Sequence, residues 1–499
     1  MLKKNRKNKL SNVRAMLQLG LMIFLTIFTQ MIMLLKTSVV ASTFGVSVEM
    51  DAFNFANNIG TFVYSFIGSG ITTVLIPNLI NKDKKESVNI FLSILYSAGF
   101  IVLIIIHLFR EYLVKGLSNG NDQFVLLTCN IMFITLITQY IISFTGATNA
   151  IFQCSGKFNF PKFVSLITSI ILVVLVIFTN NLTIYKYCIY ILITTIINVA
   201  IQIYLAIKGG YSFKFKIDFK NEELRAMLRV FAPTVLSTGL YQVSLLTDTI
   251  ISSNLGEGEI SKLSYSNNIM NLINTIILAN IMTFFYPKIA KNINKDNEQQ
   301  SFFDLSILIN AIMILMVVGF CVVGKEGIII LYQRGRFTPS VTIVVYICTL
   351  IYMIGMPSNA FRDLIYRYFY AKGDTLTPFK NSLIISVLNI IISIILSKFI
   401  GIYGIIIGTV ITSYMSLSMI LFKLNKKFTI KYSKKKLVIE NMKLILASIF
   451  TIAIVKAIRY IMPNFNVVFN CLIYGIICVG IYLFLVYIFK SKIFRVKLN

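Results

Sequence analysis

Residues 31–40 read MIMLLKTSVV and set one ammonium group, Lys36, in a run otherwise suited to lipid or to a helix core. A cation at the centre of a bilayer costs at least about 2.5–3.5 kcal/mol, so such a group normally faces a cavity or a partner. Asp51 opens the second apolar run, Asp248 lies in the seventh, and Arg362, Asp363 and Arg367 lie in the tenth. Arg362 and Tyr366 are i,i+4 neighbours and share a helical face. This set suits recognition of an anion better than bond-making. A guanidinium grips phosphate oxygens with two N–H groups, and an ammonium acts as a point charge. Lys36 and Arg362 are therefore candidate ligands for an anionic headgroup such as a diphosphate, with Arg367 a further candidate. The competing reading is a structural Lys36–Asp248 ion pair, with Arg362 and Arg367 snorkelling to an interface. Asp51 either faces the cavity or fixes the outer turn between the first two runs. The pairs Asn57–Asn58 and Asn267–Asn268 could hydrogen-bond sugars or act as polar glue between helices.

Membrane-spanning helices must position these groups. The chain has 499 residues, 57% hydrophobic and 13% charged, with a mean hydropathy of +0.80. Apolar runs long enough to cross a ~30 Å hydrocarbon core recur from end to end. We read about fourteen spans, including one centred near residue 240 and one near 275. The first follows MLKKNRKNKLSNVR without a small-residue cleavage site and is expected to be a retained helix, not a signal peptide. Lys and Arg crowd alternate loops, among them NKDKKES, PKIAKNINKDNEQQ and KLNKKFTIKYSKKK, whereas FGVSVEM, SNGND and NLGEGEIS carry few. The positive-inside rule places the lysine-rich side, and both termini, in the cytoplasm. The net charge of +28 is then topology plus attraction to anionic lipid, and nucleic acid is not expected as a partner.

The chain also repeats itself. QMIMLLKT, FG, NNI and IPNLINK are matched by QVSLLTDT, LG, NNI and YPKIAKN, pairing Thr37 with Thr249, Gly45 with Gly256 and Pro77 with Pro287. FQCSGKFNFPKFVSLITS is matched by FYAKGDTLTPFKNSLIIS, pairing Phe152, Gly156 and Pro161 with Phe369, Gly373 and Pro378. The expected architecture is an all-α polytopic membrane protein of two homologous six-helix lobes plus two C-terminal helices: residues 1–207, 208–425 and 426–499. An even number of spans per repeat gives both lobes the same orientation, around a central cavity suited to alternating access.

Other chemistries find little support. GFCVVGKE at 319–326 fits the start of a P-loop, but Glu326 stands where Ser or Thr is needed and would repel phosphate. The seven cysteines sit singly and are expected to be small buried hydrophobes. The single histidine, His107, cannot make a histidine-based metal site. No metal, cofactor or enzymatic activity is expected. Energy would come from an ion gradient, the membrane potential or the substrate gradient.

At these residues the chain resembles the MurJ (MviN) lipid II flippase family, in the superfamily of multidrug, oligosaccharidyl-lipid and polysaccharide exporters. VVASTFGVSVEMDAFNFA is similar to the family's segment joining helices 1 and 2, through Ala41, Phe44, Gly45, Asp51, Ala52 and Phe53. LLYQRGRFTP and FYAKGDTLTPFKNS resemble the loops between helices 9 and 10 and between helices 10 and 11. The resemblance covers spans 1–12 in order. It implies two lobes, a central cationic cavity, and a groove beside the last two helices for a polyprenyl tail. It also implies outward movement of a lipid-linked peptidoglycan precursor. Of the family's cavity arginines, two positions in helix 1 fall on Gln30 and Lys36. A pair in helix 2 falls near Tyr64–Ser65, an Asp-Arg pair in helix 8 on Asn267–Asn268, and a basic position in helix 10 on Arg362. The cationic cavity is thinned to about two basic residues.

The expected function is therefore a flippase for undecaprenyl-diphosphate-linked lipid II in a bacterial cytoplasmic membrane. The alternative is another polyprenyl-linked glycan: a capsule, exopolysaccharide or teichoic-acid unit. The partners are the glycolipid and membrane lipids, and cell-wall synthesis enzymes are candidates. Coupling to the membrane potential or a monovalent ion is a further expectation. Rival readings are an ion-coupled exporter, a membrane-embedded glycosyltransferase and a scaffold. These would need, respectively, an acidic ion site, an acidic catalytic cluster or large outer loops, and the loss of Lys36 and Arg362.

Overall fold

The computed structural model describes residues 2–80, 85–278, 298–428, 434–463 and 465–495. Among these the chain is all helix and turn, with no strand. Among the described residues, twelve helical stretches are long and apolar enough to cross a membrane. The expected span near 240 is the helix Glu222–Ser253, whose first turns carry Glu222, Glu223, Arg225 and Arg229. The span near 275 begins as the helix Glu259–Ile273, continues as a π-turn over Asn274–Leu278, and then leaves the described residues. Pro287, one of the repeat positions, lies outside them as well.

By packing, the chain forms two compact units, Met1–Ile260 and Ser261–Asn499. The first is built from α1 (Leu2–Phe44), α2 (Val48–Ile80), α3 (Lys85–Leu117), α4 (Asp122–Ser143), α5 (Thr145–Cys154), α6 (Asn159–Phe178), α7 (Ile184–Lys208) and α8 (Glu222–Ser253). Its axis is α2, which packs on α3, α4, α5 and α8. The apolar face of α2, including Phe55, Ile59, Ile71 and Leu75, is sealed in one large core. The repeat begins its second copy with α8, and packing groups that helix with the first unit.

The second unit contains α9 (Glu259–Ile273), α10 (Glu298–Tyr332), α11 (Pro339–Ile354), α12 (Met356–Ala371), α13 (Leu376–Ile400), α14 (Ile402–Lys427), α15 (Lys434–Ile461) and α16 (Val467–Ile488). The α15–α16 hairpin is fastened along α10. Tyr482 donates to the Ala311 carbonyl at 3.2 Å, and Asn310 donates to Asn441 at 3.1 Å. Arg459 bonds Glu326 and lies 5.4 Å from the centre of the Tyr474 ring. GFCVVGKE is thus continuous helix within α10, where no phosphate-cradling loop exists, and its glutamate has a structural partner.

Two of the spans are interrupted. The fourth breaks at Phe144 between α4 and α5, and the tenth breaks at Gly355 between α11 and α12, just before Pro357. A proline lacks the N–H that would continue the ladder. The matched segments after these breaks share one backbone form. Gly156 and Gly373 both take a left-handed φ, +70° and +81°. In each, the next residue's N–H reaches back to the matched phenylalanine: Lys157 to the Phe152 carbonyl and Asp374 to the Phe369 carbonyl, both at 2.9 Å. This is the Schellman stop, and glycine adopts it without strain. Of the cysteines, Cys129, Cys188, Cys348 and Cys478 are buried as expected, whereas Cys154 is exposed at the end of α5.

Candidate functional site

Lys36 stands on the last third of α1 and is half-buried. Its ammonium lies 5.9 Å from the centre of the Tyr187 ring on α7. Tyr187 is itself buried and packs against Phe44 and Phe53. A cation over a ring is stabilised by about 0.5–2 kcal/mol, the more so when desolvated. Among the described residues no carboxylate comes within ion-pair distance of Lys36, so the Lys36–Asp248 pair of the competing reading is not formed. Asp248 is buried on α8, and its Oδ1 has no hydrogen-bond partner among the described residues. Gln30 is half-buried on α1, upstream of Lys36.

The first asparagine pair is engaged by protein. Gln139 on α4 donates to Asn57 at 2.9 Å, and Asn58 donates to the Thr249 hydroxyl on α8 at 2.8 Å. These bonds tie α2 to both neighbours, one residue from Asp248. Asp51 lies near the N-terminus of α2, 3% exposed, and its Oδ2 accepts from the Gly258 N–H at 2.6 Å. Gly258 holds φ +83°, and a Cβ there would stand 2.9 Å from the Val46 carbonyl oxygen. The carboxylate therefore bonds across to the α8–α9 turn. That turn lies 207 residues downstream, beyond what local spacing could reveal.

In the second unit, Arg362 on α12 donates from Nε and Nη2 to Asp363 Oδ1, at 3.1 and 2.9 Å. Its guanidinium lies 5.6 Å from the centre of the Tyr366 ring, so the i,i+4 relation is realised as a stacked pair. Tyr366 is anchored by Asn381, which donates to its hydroxyl at 3.0 Å and also to Ser416 at 2.9 Å. This ladder fixes the tyrosine that backs Arg362. Arg367 is half-buried on the same helix, Asn267 is half-buried on α9, and Asn268 is exposed. The arrangement offers a cation without a carboxylate partner among the described residues in the first unit and an aromatic-backed guanidinium in the second.

Sequence reasoning missed Tyr187 beneath Lys36 and the Glu326–Arg459 bond, whose partners lie far apart in the chain. It read the lysines of KLNKK as topology alone, though their i,i+3 and i,i+4 spacing marks one helical face.

A family model described as "Lipid II flippase MurJ" matches residues 40–475. The chain belongs to the MurJ family. Relatives named probable lipid II flippase MurJ include one from Rickettsia prowazekii, 25% identical over 80% of this chain and 81% of that protein. Another, from Vibrio cholerae, is 23% identical over 79% of this chain and 80% of the relative. Among solved structures, a lipid II flippase MurJ in an inward closed conformation aligns with TM-score 0.82 at 22% identity, covering 95% of this chain and all of that one. An inward-facing MATE multidrug transporter of the MOP superfamily aligns with TM-score 0.64 at 14% identity, over 81% of this chain and 98% of that one. MurJ membership fits a multi-pass bacterial membrane protein that acts as a transporter, not an enzyme.

Proposed function

We propose that this protein moves an undecaprenyl-diphosphate-linked precursor, lipid II, from the cytoplasmic to the outer leaflet by alternating access. The observation that carries the reading is a family match spanning most of the chain on a fold of long apolar helices. In this scheme Lys36 and Arg362 hold the diphosphate. Asn267, Asn268 and Gln30 face the sugars, with Arg367 a second basic contact. The two lobes are residues 1–207 and 208–425, and residues 426–499 supply the tail groove. Both termini lie in the cytoplasm, as the lysine bias indicates. Asp248 is the buried carboxylate through which the membrane potential or a monovalent ion would couple. The thinned set of cations favours a second reading, a different polyprenyl-linked glycan bearing the same diphosphate.

The test is complementation of a bacterium depleted of its own lipid II flippase, with wild type, Lys36→Ala and Arg362→Ala, each checked by blot. Rescue by wild type alone supports lipid II transport through both cations. Rescue by all three removes the two-residue site. No rescue by well-expressed wild type moves the assignment to another lipid-linked glycan.

A further inference from the structure

We propose that the hollow between the start of α13 and the end of α14 is a second phosphate site, one that binds a phosphate-bearing lipid headgroup. The hollow has a volume of about 380 Å³ and is lined by Thr377, Lys380, Lys423, Lys426 and Lys427. Lys423, Lys426 and Lys427 stand at i, i+3 and i+4 on α14, so one helical face delivers three ammonium groups. Lys380 approaches from the first turns of α13.

Asp374 is the carboxylate that meets this cluster. It accepts from Lys427 at 2.6 Å and from the Thr377 N–H at 3.0 Å. Burial opposes its charge, but the bonds from Lys427 and Thr377 prevail and hold its carboxyl down at about 2. It is therefore fully ionised and fully committed. Lys380, Lys423 and Lys426 have no carboxylate partner within ion-pair distance among the described residues. Three ammonium groups around one hollow repel each other, and an anion lodged among them adds an attractive term with each that offsets this repulsion.

The surroundings say the anion comes on a lipid. Leu376, 57% exposed, and Phe422, 69% exposed, flank the lysines on the two helices. An apolar rim beside a basic hollow fits acyl or prenyl chains below a headgroup, and basic pockets between helix ends on the cytoplasmic side are suited to anionic headgroups. The site lies on the face that the lysine bias assigns to the cytoplasm. Neither Lys36 nor Arg362 lines it, and it needs no transport reading to exist. The phosphate could come from an anionic phospholipid or from the diphosphate of a polyprenyl substrate waiting in the same leaflet.

The full-length protein is purified in neutral detergent. Its thermal unfolding is followed with added phosphatidylglycerol, phosphatidylcholine or undecaprenyl diphosphate. The variants are Lys380→Gln/Lys423→Gln/Lys426→Gln and the matching triple arginine variant, both keeping Lys427 for Asp374. At about fivefold in affinity per lysine, the triple glutamine variant should bind an anionic headgroup roughly 100-fold more weakly, while the arginine variant retains the wild-type shift. Loss of the phosphatidylglycerol shift assigns the site to an anionic phospholipid. Loss of the undecaprenyl diphosphate shift alone assigns it to the substrate's headgroup. A glutamine variant as strongly stabilised as wild type by both lipids overturns the proposal, as does an equal shift with phosphatidylcholine. Lys36→Ala serves as the control, because it should keep the phosphatidylglycerol shift. Failed complementation with these shifts intact would move the assignment away from lipid II and leave this site standing.

Discussion

The Lys36→Met variant separates recognition from architecture. A buried ion pair that loses one partner costs about 3–5 kcal/mol, because the other charge is stranded. Lys36 has no such partner among the described residues, and its visible contact is the Tyr187 ring at 5.9 Å. Removing it therefore forfeits a cation–π contact of about 0.5–2 kcal/mol and regains part of that by relieving the charge of its desolvation. The protein should unfold within a few degrees of wild type. Against substrate the loss is larger. A hydrogen bond to a charged group is worth about 1.5–3 kcal/mol, which is about 10- to 150-fold in binding or rate. The assay is movement of a fluorescent polyprenyl diphosphate glycolipid across vesicles, alongside a thermal melt of the same preparations. Lys36→Arg, which keeps the charge, should recover most of the activity. The reasoning is refuted if Lys36→Met transports normally. It is equally refuted if that variant melts far below wild type and Asp248→Asn restores it, since that pattern belongs to an ion pair.

Arg459→Met should strand Glu326, whose side chain is 8% exposed, and lower stability by about 3–5 kcal/mol in a thermal melt; adding Glu326→Gln should return part of it. Gly258→Ala forces a side chain into a left-handed backbone, worth about 1–2 kcal/mol, and sets a Cβ 2.9 Å from the Val46 carbonyl; chemical denaturation should show the loss, and an unchanged midpoint would remove this turn from the account. Asp374 titrates below its ordinary value of 3.8, at about 2, so its bonds stabilise fully above about pH 4 and fade as pH falls through 2; Lys427→Met should shift that loss to higher pH, read from acid unfolding curves. Asp363→Asn keeps an acceptor for Arg362 but removes the competing charge of a half-exposed pair, so headgroup affinity should rise by up to about fivefold; a fall in affinity would mean that the carboxylate serves the site.

Much of the fold was legible because the membrane imposes it. Backbone groups in hydrocarbon must bond within their own segment, so long apolar runs become helices. The repeat was legible at Gly156 and Gly373, where a backbone requirement selects the residue type and leaves a mark in both copies. The helix breaks were harder to see. Pro357 announces one of them, but the break at Phe144 is followed only by Gly146 and no proline, and hydropathy runs across both. The partner of Asp51 was beyond sequence reasoning because it is a backbone N–H, which any residue at position 258 except proline would offer. Lys36 drew attention by its cost, yet whether it paired with Asp248 depended on how α1 and α8 pack, and no spacing encodes that.

A small number of cations is compatible with holding a diphosphate where water is scarce. Two unit charges 4 Å apart attract by about 1 kcal/mol in bulk water and about 4 kcal/mol at an effective dielectric constant near 20. One ammonium without a carboxylate beside it can then match several solvated ones, so loss of the family's arginine at Gln30 and of its Asp-Arg pair at Asn267–Asn268 need not abolish recognition. It does change what the recognition can distinguish. On the proposed reading, Lys36 and Arg362 meet a group common to every polyprenyl diphosphate, and discrimination among glycans falls to neutral groups. Asn57 and Asn58 already bond Gln139 and Thr249. Asn268 is exposed, at a position where the family pattern places charge. On the proposed reading, the substitution that thins the cationic site also supplies an amide able to read a sugar, which would make position 268 the place where lipid II and another lipid-linked glycan are told apart.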